Sequence, residues 1–367
     1  MKILMVSREP NSYNNDLFNQ FASKGYCLDV VYLVSRSPNN AVWLENFERK
    51  YTYKIVTSFL NQATILLKKI RTDCSAVIIA GWATPGCLMA IFYCLMFNIK
   101  FFIWADTLSG AAPNSILVRL FRYPIRYLVI TKCRAILTTG ISGRSSFEKL
   151  GCHPGKIVDF PYTVDQRKLI NNSICKTDIS KNVINISKNR PIIFYAGQLI
   201  YRKGLDILLK ALKFVIDDGY DVLLVIEGDG PLRKTYENMA SELRLENNIV
   251  FVGFNQPIDH SSLLGLSNIV VVPSRWDPWG NLVHEAMVLG KVVISSNGVC
   301  SSKDRIKTGV NGFNYEAEDI YSLYKLIYKC LSNPKLMEKI EREARATALT
   351  WPVDRGLDNL KLIIESN

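Results

Sequence analysis

Two carboxylates, Asp277 and Glu285, stand eight positions apart around the stretch Ser274-Arg275-Trp276-Asp277-Pro278-Trp279-Gly280-Asn281-Leu282-Val283-His284-Glu285. Carboxylates at this spacing can grip hydroxyl groups on either side of a third group. The third group would be an anion. An apolar run, Ile269 to Val272, ends at Pro273, and helical composition begins at Leu282, with Gly280 freeing the backbone between them. A strand end therefore feeds a turn that opens a helix. Such a turn aims orphan N–H groups and the positive end of a helix dipole at whatever lies in front of it, which suits a phosphate. A sugar, a diphosphate and a ribose, in that order, would satisfy all three features.

Two more turns follow strands in the same half. In Tyr195-Ala-Gly197-Gln198-Leu-Ile-Tyr-Arg202-Lys203-Gly204, Gly197 lets a ligand approach the backbone, and Arg202 and Lys203 sit at a helix start. Cations there oppose the helix dipole; either an anion is held between them or the loop is a solvated basic one. Glu227-Gly228-Asp229-Gly230-Pro231 packs a sharp turn at a strand end, but lacks the third glycine and the acidic partner of a dinucleotide fingerprint.

The elements that must position these turns are legible as an alternation. Strands are expected at Ile3–Val6, Leu28–Leu33, Val77–Ala80, Phe101–Trp104, Ala135–Thr138 and Ile157–Phe160, with helices between them. A second series has strands at Pro191–Ala196, Val222–Ile226, Ile249–Val252, Ile269–Val272 and Val292–Ile294. Alternation of this kind implies α/β architecture: two Rossmann-like parallel-sheet domains, with ligands in a cleft at the carboxyl ends of the strands. Residues 1–165 form the first domain, 166–190 a polar linker or long surface loop, and 191–350 the second, with the tail helix of 351–367 packing back on the first. The apolar stretch from Pro85 to Ala105 is interrupted by Asn98 and Lys100, which makes it a buried helix followed by a strand rather than a membrane span.

Composition narrows the class. The chain has 367 residues, 48% hydrophobic and 21% charged, as folded domains do. A net charge of +12 calls for an anionic partner. Nine cysteines without a C-x-x-C pair suggest reduced thiols in a cytoplasm. Between Asp106 and Glu148 no acidic residue occurs, while Arg119, Arg122 and Arg126 follow helical spacing among Leu117, Leu120, Phe121, Tyr123, Tyr127 and Leu128, with Pro124 expected to split the helix. Basic residues beside aliphatic and aromatic ones suit an anionic membrane surface; the alternative is a core helix with a solvated basic face. Nucleic acid is not indicated, because no binding motif accompanies the charge. The histidines, His153, His260 and His284, stand isolated in the sequence.

Taken in order, G-Q-L-x-x-x-K-G from Gly197, E-G-D-G-P from Glu227, V-G-F ending at Phe254, D-P-W-G-N-L-V-H-E-A-M from Asp277 and G-x-N-G from Gly309 resemble the donor-binding half of family 4 (group 1) retaining glycosyltransferases of the GT-B architecture. The resemblance covers about residues 190 to 345. It implies transfer of a hexose from a nucleotide-diphosphate sugar to a saccharide acceptor. With the basic segment, it points to a lipid-linked acceptor in bacterial surface polysaccharide (lipopolysaccharide-type) biosynthesis, at the inner face of the cell membrane. By this resemblance Asp277 contacts the donor sugar and Glu285 the ribose, backbone amides near Gly280, Asn281 and Leu282 hold the sugar and diphosphate, and Lys203 meets the diphosphate. Gly197, Gln198, Gly228 and Phe254 line the donor site. Asp277 replaces the usual glutamate, and Gln198 stands where an arginine is usual, with Arg202 expected to supply the missing charge. The first domain would hold the acceptor. Asp106 falls where the family shows His-Asp, and either works on an acceptor hydroxyl or caps the following helix. Arg8 occupies a loop that the family often builds from glycines. No D-x-D occurs, so no metal is expected, and no cofactor beyond the donor. A nucleotide-sugar epimerase and a non-catalytic membrane-binding scaffold are the rival readings.

Overall fold

A computed structural model of the chain describes residues 2–35, 48–72, 74–82, 84–107 and 116–365, with backbone alone at 12, 116–123 and 365. It divides into two compact units, Met1–Thr163 with Val353–Asn367, and Val164–Pro352.

In the first unit the described residues form a seven-stranded parallel sheet from β1 (Lys2–Ser7), β2 (Cys27–Tyr32), β3 (Thr52–Ile55), β4 (Ala76–Ala80), β5 (Phe101–Trp104), β6 (Ala135–Thr138) and β7 (Ile157–Asp159), in the order β3-β2-β1-β4-β5-β6-β7. Helices α1 (Ser12–Ser23), α2 (Phe59–Thr72), α3 (Pro85–Met96), α4 (Ile116–Lys132) and α5 (Gly140–Glu148) connect them. Strands buried on both faces read as unbroken apolar runs, and β4 and β5 carry the sequences AVIIA and FFIW. The stretch from Pro85 is a helix and then a strand, and no described helix is long and apolar enough to cross a membrane. Helix α4 runs through Pro124, where two helices were expected. A proline removes one hydrogen bond and pushes on the preceding turn, and the turns on either side carry the helix on.

In the second unit a six-stranded parallel sheet has the order β10-β9-β8-β11-β12-β13. Its strands are β8 (Ile192–Ala196), β9 (Leu223–Glu227), β10 (Ile249–Gly253), β11 (Ile269–Val272), β12 (Val292–Ser296) and β13 (Phe313–Tyr315). Helices α6 (Gln166–Ser173) and α7 (Asp178–Ser187) precede the sheet. Helices α8 (Leu205–Asp217), α9 (Arg233–Glu242), α10 (Pro257–Leu266), α11 (Asn281–Val288), α12 (Cys300–Arg305), α13 (Ile320–Leu331) and α14 (Pro334–Leu349) follow in turn. Strand order reverses between β8 and β11, which makes the carboxyl ends of these two strands the switch point where ligands of open α/β sheets bind.

Residues 166–190, expected as a linker or loop, fold as α6 and α7. Each begins at a side-chain cap: Asp165 accepts from Lys168 N, and Thr177 accepts from Ser180 N. They bury only Leu169 in α6 and Ser180, Val183 and Ser187 in α7, so a narrow buried stripe on an otherwise polar segment hid the helical period. The final helix, α15 (Arg355–Glu365), belongs to the first unit. Leu357 and Leu360 enter the core beside Phe160, and Asn359 donates to the Asp159 carbonyl at 2.9 Å.

Candidate functional site

The switch point of the second sheet gathers the three turns. After β8, Gly197 N donates to the Glu227 carbonyl at 3.0 Å, and after β9, Gly228 N donates to the Gly253 carbonyl at 2.7 Å. Gly228 takes a φ of +124°, and a Cβ there would stand 1.9 Å from the Gly197 carbonyl oxygen. Only glycine allows these turns to touch. Phe254 follows β10 and is partly exposed.

The turn after β11 is held from both sides. Asp277 N donates to the Gly298 carbonyl at 3.0 Å, Cys300 N to the Asp277 carbonyl at 3.1 Å, and Ser301 N to the Trp279 carbonyl at 2.8 Å. A Cβ on Gly298 would lie 2.3 Å from the Arg275 carbonyl oxygen. Gly280, at a φ of +87°, is the N-cap of α11, and its carbonyl accepts from Ser301 Oγ at 2.8 Å. The amides of Asn281 and Leu282 thus open α11 in the manner that suits an anion.

Around this helix start the charged side chains converge. Asp277 is buried, with the Lys203 ammonium on its Oδ2 and Arg202 Nη1 3.9 Å from Oδ1. Arg202 also donates to the Trp276 carbonyl at 2.8 Å and lies over the Trp276 ring. These two cations sit on a short 3-10 turn, Tyr201–Lys203, and Gly204 (φ +68°) separates them from α8. Gln198 is half-buried in the same loop. Gly197, Gln198, Arg202, Lys203, Gly228, Asp277 and Gly280 therefore lie on turns at one edge of one sheet, with Asn281 and Leu282 opening α11 beside them.

Glu285, one turn into α11, is buried, and here the expectation of isolated histidines fails. His260, on α10, sits between two carboxylates: Nδ1 is 2.6 Å from Glu227 Oε2, and Nε2 is 3.4 Å from Glu285 Oε2. Burial by itself would lower the His260 pKa, but Glu227 and Glu285 together raise it well above the usual imidazole range. His284 is the opposite case. It is buried in α11, and burial, then the Arg305 charge, hold its pKa well below the usual range against a backbone hydrogen bond at Trp351.

Two features of the site carried no signal in the sequence beyond their residue types. Arg275 grips both Asp206 oxygens, at 2.8 and 2.6 Å, and donates to Glu318 Oε1 at 2.8 Å and to the Tyr201 carbonyl at 2.7 Å. Its guanidinium lies 3.7 Å from the centre of the Tyr201 ring, so one side chain ties the Lys203 loop to the turn after β11. Gly298 to Ser301, after β12, is the backbone clamp described above.

In the first unit Asp106 follows β5 at the carboxyl edge of the sheet, half-buried. Burial, and then the Asp106 charge, raise the pKa of Tyr162. The residues a cap at Asp106 would serve, 108–115, lie outside the described residues, as do the side chains of Arg119 and Arg122. Arg126 is half-buried on α4, and Arg8 is exposed after β1.

Comparison with known proteins places this geometry. Residues 176–347 match the family "Glycosyl transferases group 1". The chain is 24% identical over 360 residues to an uncharacterized glycosyltransferase of Haemophilus influenzae, covering 94% of this chain and 93% of that protein. It is 32% identical over 130 residues to the uncharacterized glycosyltransferase MJ1607 of Methanocaldococcus jannaschii, but this match takes in only 35% of this chain and 33% of that protein. Among solved structures, Anabaena Alr3699/HepE in complex with UDP superposes with a TM-score of 0.81 at 18% identity, over 100% of both chains. WaaG, a glycosyltransferase involved in lipopolysaccharide biosynthesis, superposes with a TM-score of 0.72 at 17% identity, again over 100% of both. Likeness at that identity establishes the fold, which is GT-B. Through residues 176–347, the chain is similar to the group 1 glycosyl transferases.

Proposed function

We propose that this chain is a retaining glycosyltransferase that moves a hexose from a nucleotide-diphosphate sugar to a saccharide acceptor. The observation that carries the reading is the pair of buried carboxylates, Asp277 and Glu285, bracketing the N-terminus of α11 beside Lys203 and Arg202. Asp277 takes sugar hydroxyls, Glu285 takes the ribose, and the diphosphate lies between them on the amides of Asn281 and Leu282. Lys203 and Arg202 meet its charge. Gly197, Gln198, Gly228 and Phe254 line the same edge. HepE is described in complex with UDP, which supports a uridine diphosphate sugar as the first donor to try.

The acceptor oxygen forms a bond to the anomeric carbon as the bond from that carbon to the diphosphate oxygen breaks. The acceptor proton passes to the departing diphosphate on the same face. Charge grows on the leaving group, and the dipole end of α11, Lys203 and Arg202 are aimed at it before it forms. This disposition lets the reaction run on protein charges without a metal ion. Holding two substrates in register supplies much of the remaining acceleration. In this reading residues 191–350 hold the donor and residues 1–165 the acceptor, with Asp106 on an acceptor hydroxyl. WaaG, by its description, works in lipopolysaccharide biosynthesis. Together with Arg119, Arg122 and Arg126, this supports a lipid-linked acceptor reached from the cytoplasmic face of a membrane.

The test is to incubate the chain with a panel of labelled nucleotide sugars and a bacterial membrane extract. Release of a nucleoside diphosphate with transfer of label to the lipid fraction is expected. Consumption of none of the donors would contradict the reading.

A further inference from the structure

The Glu227–His260–Glu285 chain spans three separate elements and lies behind the proposed ribose contact. Glu227 ends β9, where its main chain is locked in the ladder opposite Ala196 and its carbonyl accepts from Gly197 N. His260 lies in the second turn of α10, its N–H donating to the Gln256 carbonyl at 2.9 Å and its ring 6.0 Å from that of Phe194. Glu285 lies on α11. A carboxylate accepts hydrogen bonds and donates none, while a neutral imidazole donates through one nitrogen only. Both ring nitrogens of His260 face carboxylate oxygens, at 2.6 and 3.4 Å, so the arrangement asks for a doubly protonated ring. Nδ1 and Glu227 are in direct hydrogen-bond contact, leaving no room for an ion between them, and no group of three or more His, Cys, Asp or Glu side chains among the described residues could hold a metal ion.

We infer that His260 is a positioning residue for donor binding: as an imidazolium anchored on Glu227, it aims the Glu285 carboxylate at the 2′,3′-diol of a nucleoside diphosphate's ribose. The inference rests on the proposed role of Glu285. The ring's positive charge also reduces the chain from two net negative charges to one, which limits repulsion of the diphosphate. Glu227 acts one step further back, fixing the ring to the sheet.

The experiment compares the affinity of UDP, GDP and ADP with that of their 2′,3′-dideoxy counterparts, by calorimetry, for the wild-type chain and for Glu285→Gln, His260→Gln and the double variant. For the nucleotide it binds best, the wild-type chain should favour the ribose form by about tenfold. Glu285→Gln should abolish that preference, His260→Gln should remove most of it, and the double variant should go no lower than Glu285→Gln. In turnover, His260→Gln should raise the donor KM by about tenfold and leave kcat within about twofold, a split that general loosening of the fold would not give. If His260→Gln keeps the full preference while Glu285→Gln loses it, the positioning role is overturned and the donor-site reading stands. No preference in the wild-type chain would remove the ribose role of Glu285, and this inference with it. Should His260→Gln not fold, Glu227→Gln keeps the shape and an acceptor for Nδ1 while dropping the charge. It should show an intermediate preference, and an undiminished one would overturn the inference.

Discussion

The ammonium of Lys203 rests on the carboxylate of Asp277, joining the turn after β8 to the turn after β11 across the point where the strand order reverses. Asp277 is the less exposed partner, with 8% of its side chain accessible against 19% for Lys203. Lys203→Met would leave a buried carboxylate with Arg202 as its remaining cation, at 3.9 Å. It should cost about 2–3 kcal/mol of stability in urea denaturation. Asp277→Asn leaves an ammonium that can turn to water and should cost about 1 kcal/mol. Equal losses would show that the pair is not held as described.

Gly228 and Gly219 separate two effects of adding a methyl group. Both have positive φ, +124° and +88°, but a Cβ on Gly219 meets nothing within 4 Å, whereas on Gly228 it meets the Gly197 carbonyl oxygen at 1.9 Å. Gly219→Ala should cost about 1 kcal/mol from the backbone conformation. Gly228→Ala should cost about 3 kcal/mol or more and weaken nucleotide binding, because the two turns must part. Thermal unfolding of the two variants side by side gives the comparison, and a Gly228→Ala midpoint as high as that of Gly219→Ala would contradict it.

Arg275 should prove a stabilising residue of the site rather than a bystander. Arg275→Ala removes the bonds to Asp206, Glu318 and the Tyr201 carbonyl together and should cost about 3 kcal/mol. Arg275→Lys cannot reproduce the two-pronged contact with Asp206 and should recover only part of that loss. Full recovery by lysine in denaturant titrations would show that charge alone suffices.

The buried histidines set opposite flanks of the pH–stability curve. His284 has a folded pKa well below 6.5, so its contribution is complete above about pH 6.5 and lost as the pH falls below it, with a limiting slope of about 1.4 kcal/mol per pH unit. His260 has a folded pKa well above 6.5, so its contribution is complete below about pH 6.5 and lost only as the pH rises through the raised value. His284→Leu should therefore flatten the acid side of the curve and leave the alkaline side alone. An unchanged acid slope, measured by denaturant titration from pH 5 to 8, would contradict this assignment.

Much of the sheet was legible because parallel strands buried on both faces are written as continuous apolar runs; Ile269–Val272 coincides with β11 residue for residue. The edge strand β3 escaped notice because all four of its residues are exposed and none of its pattern is apolar enough to stand out. Helix α10 was hidden differently: Ser261, Ser262, Leu263 and Leu264 are all buried in succession, so polar residues occupy core positions and no clean stripe forms. The turns at the carboxyl edge of the second sheet were readable from their glycines and charges. The Glu227–His260–Glu285 chain was not, because its members lie on three elements that only the folded sheet brings together. The clamp at Gly298 to Ser301 is made by backbone groups, which residue types do not announce.

The measurement that bears most directly on the proposed donor site is calorimetric titration of UDP, GDP and ADP into the wild-type chain and into Glu285→Ala. Saturable binding of at least one nucleotide by the wild-type chain, weakened about tenfold or more in Glu285→Ala, is the predicted result. Binding of none of them, or equal affinity in the two proteins, would contradict a nucleotide site at the N-terminus of α11.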